Sequence, residues 1–239
     1  MYAREVGDRV LTFGVSGKLI MNALVMYDRE TDSLWSQFVG AAVDGPLVGA
    51  PLEPLASTFT EWGTWRTLHP DTLLLDQGPA SNVDPYGSYY SDASAGVVGE
   101  TNFDDRLSPK EMVIGVRIGA AARGYPLRYL FDIPVVNDRI GDREVLVVFD
   151  AEHVVGTVFS RSVDGRTLTF DLAGAERAAG HPDTVVPLVD RETSTLWSGL
   201  TGIAVDGPLS GDRLRQLPST PVFWFAWSDF YPDGALWTP

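Results

Sequence analysis

Four pairs of carboxylates recur at a spacing of 162 residues: Asp28 and Asp190, Glu30 and Glu192, Asp44 and Asp206, Asp71 and Asp233. If a pseudo-twofold axis relates the two copies, equivalent carboxylates near that axis would approach each other. One of each pair would then hold its proton while the other stayed ionised, which is the acid and base needed for hydrolysis. Asp44 and Asp206 are the candidate catalytic pair. Against this, each stands in Asp-Gly-Pro, where Asp-Gly is a common turn dipeptide and no hydroxyl residue follows. Asp28-Arg29-Glu30-Thr31 reads in the same way, as a turn with a local ion pair that contributes little when exposed.

Aromatic residues repeat too. Six of the seven tryptophans form the pairs Trp35/Trp197, Trp62/Trp224 and Trp65/Trp227. They are either two binding faces, with Trp35 and Trp197 as ligand candidates, or two copies of one core, since aromatic side chains dominate core energetics. Tyr86, Tyr89 and Tyr90 have no repeat partner and are the other ligand candidates. They lie in a Gly, Ser, Asp and Tyr-rich stretch over 76–110. Connections of that length are usually functional or disordered, and the tyrosines favour order. His69, His153 and His181 share no motif, and Glu152-His153 alone is a poor metal set. Cys is absent, so disulfides, thiolate metal sites and cysteine nucleophiles are excluded for this polypeptide. No Gly-x-Ser-x-Gly elbow, P-loop or dinucleotide fingerprint is present, and no cofactor is expected.

The elements that would position these residues follow from the repeat. Residues 28–71 align with 190–233 without a gap, and about 23 of the 44 pairs are identical. Upstream, Arg4…Leu11-Thr12-Phe13 matches Arg161…Leu168-Thr169-Phe170 at a shift of 157, so the second copy gains a loop around Glu176 to Asp183. Both segments read as the second strand of a hairpin, with Asp164-Gly165 as the turn. Residues 111–160 read as strands over Val113 to Ile118, Val135-Val136, Val145 to Phe149 and Val154 to Ser160, with a turn or short helix near Tyr125 to Leu130. The first copy has no counterpart of this group. Each copy closes with a probable helix. Thr58-Phe59-Thr60-Glu61 has capping-box form with Phe59, Trp62 and Trp65 on one face. Thr220 and Pro221 would start the second helix, with a strand over Val222 to Trp227 as the alternative.

The net charge of −14 disfavours nucleic acid and anionic membranes as partners. A small molecule or a protein is the expected partner. No apolar run is long enough to span a membrane. Met1 to Glu5 lacks the apolar core of a signal peptide, which implies the cytoplasm if this start is native and leaves an extracytoplasmic place for a longer form.

Leu11-Thr12-Phe13-Gly14-Val15-Ser16-Gly17, Leu24 to Thr31, Leu34-Trp35-Ser36-Gln37, Trp62…Trp65…His69-Pro70-Asp71-Thr72, Asp104-Asp105-Arg106-Leu107, Tyr125-Pro126-Leu127, Val136-Asn137-Asp138 and Phe223-Trp224-Phe225-Ala226-Trp227 together resemble the domain of unknown function family 3179. The resemblance covers nearly the whole chain. It implies a first copy of the 111–160 strand group and a Cys-Pro-Leu-Cys-like motif upstream of the residues matched here. The second copy carries Phe149-Asp150-Ala151-Glu152 near the equivalent position, without a thiol. If the family's chemistry depends on that dithiol, this chain is a truncated form of a thiol- or metal-dependent protein.

The expected fold is mainly β, of the α+β class: two related antiparallel units from an internal repeat, each closed by a short helix. The units would be 1–75, incomplete on its N-terminal side with an exposed strand edge, and 111–239, joined by the 76–110 loop. The leading functional expectation is a non-catalytic binding or structural module, its groove formed by the 76–110 loop and the inter-repeat cleft. Acid/base hydrolysis by Asp44 and Asp206 is the alternative.

Overall fold

The computed structural model describes residues 1–76, 86–181 and 184–239. The chain opens with the hairpin β1 (Glu5–Val6) and β2 (Arg9–Val10), followed by β3 (Phe13–Ile20), β4 (Ala23–Asp28), β5 (Leu34–Ser36), β6 (Ala41–Asp44) and helix α1 (Trp62–Leu68). A connecting segment contains α2 (Gly87–Ser91). Then come β7 (Met112–Ile118), β8 (Ala121–Pro126), α3 (Leu127–Leu130), β9 (Val135–Ile140), β10 (Arg143–Asp150) and β11 (Val155–Ser160). The remainder is the hairpin β12 (Ser162–Val163) and β13 (Arg166–Thr167), β14 (Phe170–Leu172), α4 (Ala175–Ala179), β15 (Pro187–Asp190), β16 (Leu196–Ser198), β17 (Ile203–Asp206), β18 (Thr220–Phe223), α5 (Trp224–Phe230) and β19 (Ala235–Leu236). Strands dominate and pair antiparallel, apart from the short parallel pair β8–β19.

Three sheets stack in the C-terminal half, and β10 explains why. Its sequence Val145-Leu146-Val147-Val148-Phe149 is apolar at every position and fully buried, the pattern of a strand covered on both faces. Val145, Val147 and Phe149 join Ile114, Val116 and Tyr125 in one core, between the sheet β11-β10-β9 and the sheet β18-β7-β8-β19. Leu146 and Val148 point the other way, into a second core with Phe170, Leu188 and Trp197 of the sheet β14-β15-β16-β17. On the far side of β7, the helix α5 lays Trp224 and Trp227 over Val113. Gly115 makes that contact possible: a Cβ there would stand 2.2 Å from the Trp227 ring. Phe38, just beyond β5, meets the end of α5, stacked on Phe230 with ring centroids 4.3 Å apart.

The sheet β3-β4-β5-β6 has the same strand order as β14-β15-β16-β17. Met26 faces Trp35 as Leu188 faces Trp197, and each sheet has a register shift at its Leu-Trp pair. Gly45 and Gly207 turn the chain after β6 and β17 with φ of 89° and 111°, and a Cβ at either would lie 2.8 Å from the Cα of Ser33 or Thr195. The two sheets differ in what covers them. In the second, the Asn137 amide of β9 clasps the backbone N–H and C=O of Phe170, both at 2.8 Å, and Phe170 is 1% exposed. Phe13, which stands at the same place in the first sheet, receives no such clasp among the described residues and is only half-buried.

Several expectations need correction. The capping box does not form: α1 starts at Trp62 with Glu61 as its cap and no side-chain capping bond. The reason is that Phe59 is held in a β-bridge to Gly156, so its backbone is not free to enter the helix. Phe59 and Trp62 are exposed rather than core residues, and α1 has no buried residue. In the second copy Thr220 and Pro221 do not begin the helix. They pair with Gly115 and Ile114 of β7, and the helix starts at Trp224. The gained segment near Glu176 carries the helix α4 where a loop was expected, while Asp183 lies outside the described residues. β8 and its pairing with β7 were not anticipated. The Asp164-Gly165 turn is present with φ of 48° and 76°, as a two-residue hairpin requires.

Candidate functional site

The recurring carboxylates are largely occupied in holding the fold. Asp28 is fully buried at the end of β4. Its Oδ2 accepts from Trp35 Nε1 at 2.8 Å and its Oδ1 from the Thr31 N–H at 2.6 Å. Burial pushes the Asp28 carboxyl up, but the bonds from Trp35, Thr31 and Ser33 outweigh burial and hold it below the usual carboxylate range. Asp190 repeats the arrangement, accepting from Trp197 Nε1 at 2.9 Å and from the Thr195 N–H at 3.1 Å. Glu30 and Glu192 do not form the expected local ion pair. They accept from the backbone N–H of Thr12 at 2.8 Å and of Thr169 at 2.7 Å, which ties each turn to the strand before it. Arg29 instead lies 5.5 Å from the Tyr27 ring, and Arg191 binds Asp171 at 2.7 Å.

Asp44 and Asp206 end strands in two different sheets, and both are exposed. Asp206 has Arg177 at 3.9 Å, and among the described residues no bond links the two aspartates. Trp35 and Trp197 are 0% exposed, each meeting Phe13 or Phe170 edge-on with centroids 5.5 and 5.8 Å apart. This corrects their candidacy as ligand residues: each indole is buried in a core, with its one donor committed to Asp28 or Asp190. His153 Nδ1 lies 2.8 Å from Asp150 Oδ2, and that bond raises its pKa, aided by Glu152 and Glu61. His69 packs on Trp65 with ring centroids 4.1 Å apart. No group of three metal-binding side chains occurs among the described residues.

An enclosed, mainly apolar cavity lies elsewhere, at the edge of the sandwich between the β7 and β10 layers. It holds about 250 Å³. Met112 and Ile114 of β7, Pro221 of β18 and Phe149 of β10 form its walls, and Gly156 of β11 lies at its base. A Cβ at Gly156 would stand 2.2 Å from Ile114 Cδ1, so glycine lets β11 approach β7 here. Phe59, tethered to Gly156, closes one side, and Ser57 and Ser219 supply the polar atoms. Val154 completes the rim with φ of 50°. A β-branched residue in that region is strained, at a cost of about 1–3 kcal/mol, and such strain concentrates at ligand sites. Among the described residues no charged side chain lines the cavity. The nearby ones are already engaged: Arg128 with Glu111 at 3.0 Å, and Lys110 with the Tyr89 carbonyl and, at 4.1 Å, the Tyr89 ring.

None of the three candidate tyrosines lines this cavity. Tyr89 and Tyr90 each pack against Phe223 with ring centroids 6.3 Å apart, and Phe223 is the cross-strand partner of cavity-lining Met112. Tyr86 and Tyr90 are 61% and 62% exposed. Asp84 and Pro85 of the same stretch lie outside the described residues. The cavity itself was missed from sequence, because its walls come from segments scattered between Ser57 and Pro221. Glycine inside the apolar run Val154 to Ser160 was the available signal, since glycine in a strand marks a bulge or a close approach. A more open depression of about 360 Å³ has the charged residues Arg123 and Asp233 among its lining, and so is less suited to capture of an apolar small molecule.

A model of the family described as "Protein of unknown function (DUF3179)" matches residues 1–234. The chain belongs to that family. No curated protein matches this DUF3179 chain, and no solved structure does. Among the described residues no helix is long and apolar enough to cross a membrane.

Proposed function

We propose that this DUF3179 chain is a non-catalytic small-molecule-binding module, built from a duplicated β unit, whose site is the 250 Å³ apolar cavity beside Phe59 and Val154. The proposed units are 1–75 and 111–239, with 76–110 as the connection. The observation that carries the reading is the cavity itself: an apolar pocket preformed between rigid sheets, with two hydroxyl groups and a strained rim residue. The cavity exceeds the 150 Å³ or so that accommodates benzene in an engineered core, so a ring with a short substituent fits. Binding is favoured over acid/base chemistry because the candidate catalytic pair, Asp44 and Asp206, end strands in two different sheets and are both exposed.

The test is thermal unfolding of the native chain and of Ser219→Phe with added toluene and p-cresol. Ser219→Phe places a ring at the cavity mouth. The native chain is expected to gain stability saturably and the variant to gain none. No gain in the native chain, or equal gain in both, would remove the cavity as the site.

A further inference from the structure

A second, smaller cavity of about 100 Å³ lies at the seam where the first sheet meets β7 and α5. Its walls divide by chemistry. Phe38 and Leu52 from the first half, and Trp227 from α5, give an apolar end. Arg117 of β7, Thr220 of β18 and Tyr231 beyond α5 give a polar one. Arg117, like several other arginines, has no carboxylate within ion-pairing distance among the described residues. Tyr231 is a half-buried phenol, and no bond from its hydroxyl to protein is seen among the described residues. Tyr2, also on the wall, has already given its proton to the Gln37 carbonyl at 2.8 Å.

Burial pushes the Tyr231 phenol up, and the nearby Arg117 charge only partly offsets this, so Tyr231 remains a proton donor at neutral pH. Arginine is always charged and can only donate. The polar end therefore offers a fixed positive charge and hydroxyl donors, with no carboxylate to neutralise them. In a chain of net charge −14 such a place opposes the general field. Anions are repelled from the surface at large, so the local cation must account for any anion held here.

We infer that the seam cavity binds a small monocarboxylate, its carboxylate on Arg117, Thr220 and Tyr231 and its short tail among Phe38, Leu52 and Trp227. The small volume suits a short acid such as acetate or propionate. Because the walls come from both halves of the chain, the ligand binds the folded state alone and stabilises the seam. This site is separate from the apolar cavity near Phe59, and the two readings stand or fall independently.

The experiment is thermal unfolding of the full chain in sodium acetate and in sodium propionate, each compared with sodium chloride at matched ionic strength. The native chain should show a saturable rise in Tm with both carboxylates. Arg117→Gln and Tyr231→Phe should each weaken the apparent affinity at least tenfold, while Gly63→Ala, in the exposed helix α1 with nothing within 4 Å, should respond like the native chain. Arg117 is exposed, so its replacement leaves the fold intact, and Tyr231→Phe changes only the hydroxyl. A native response to carboxylate no larger than to chloride would overturn the inference. So would an undiminished response in Arg117→Gln.

Discussion

Replacing Asp28 with Ala tests the reading that the recurring carboxylates hold the fold. The substitution removes the acceptor of Trp35 Nε1, which is fully buried and has no water to turn to. Leaving such a donor unpaired costs about 1–3 kcal/mol. The Thr31 N–H loses its acceptor as well, but Thr31 is half-exposed, so about 1 kcal/mol is added there. The expected loss is about 2–4 kcal/mol, or roughly 5–15 °C in Tm for a chain of this size. Calorimetry measures it directly. A double-mutant cycle with Trp35→Phe sharpens the attribution: removing both partners should cost less than the sum of the single losses, with a coupling of about 1–3 kcal/mol. The same carboxylate predicts a pH dependence. Its folded pKa lies below its unfolded value of about 3.9, so its contribution is complete above that pH and disappears as the pH falls through the folded value. Acidification from about pH 5 to pH 2 should therefore narrow the gap between the native chain and Asp28→Ala. Additive losses in the cycle, or a Tm change within about 1 °C for Asp28→Ala, would refute the reasoning.

Gly115→Ala should destabilise by about 3 kcal/mol or more, because its Cβ would stand 2.2 Å from a Trp227 ring already packed against Tyr231 and Phe38. Gly63→Ala in the exposed helix α1 meets nothing within 4 Å and should gain about 0.5–1 kcal/mol; urea unfolding of both variants checks the contrast. Val154→Gly should relieve the left-handed strain at the cavity rim and leave stability unchanged or raised by about 1 kcal/mol, since the side chain is 48% exposed. A loss above about 1 kcal/mol in urea unfolding would mean that the Val154 side chain contributes more than its backbone costs.

Much of the architecture was legible because it rests on local signals. The Asp164-Gly165 turn and the apolar run of β10 each act within one hairpin or strand. The seven-residue helices α1 and α5 also fall at positions 162 residues apart. The deeper burial of α5 was legible in the run Val222 to Trp227, which is apolar all round, whereas the exposure of α1 was not, since it depends on what lies beneath. α5 covers β7 at Gly115 and β8 at Gly124, whereas α1 has no buried residue. Thr58 and Glu61 fit a capping box by spacing, yet the bridge from Phe59 to a glycine far along the chain delays the helix start. The same long-range bridge closes the cavity, so one unforeseen contact accounts for both the helix error and the missed site. Trp35 and Trp197 show the converse: their repetition allowed two binding faces or two copies of a core, and the structure places both in cores.

The most direct test of the binding-module account is a methyl NMR titration of the full chain with toluene. Saturable shifts confined to Met112, Ile114, Leu127 and Val154, with Leu168 and Leu188 of the neighbouring core unmoved, are the predicted result. Shifts scattered over the surface, or none up to the solubility of toluene, would contradict it.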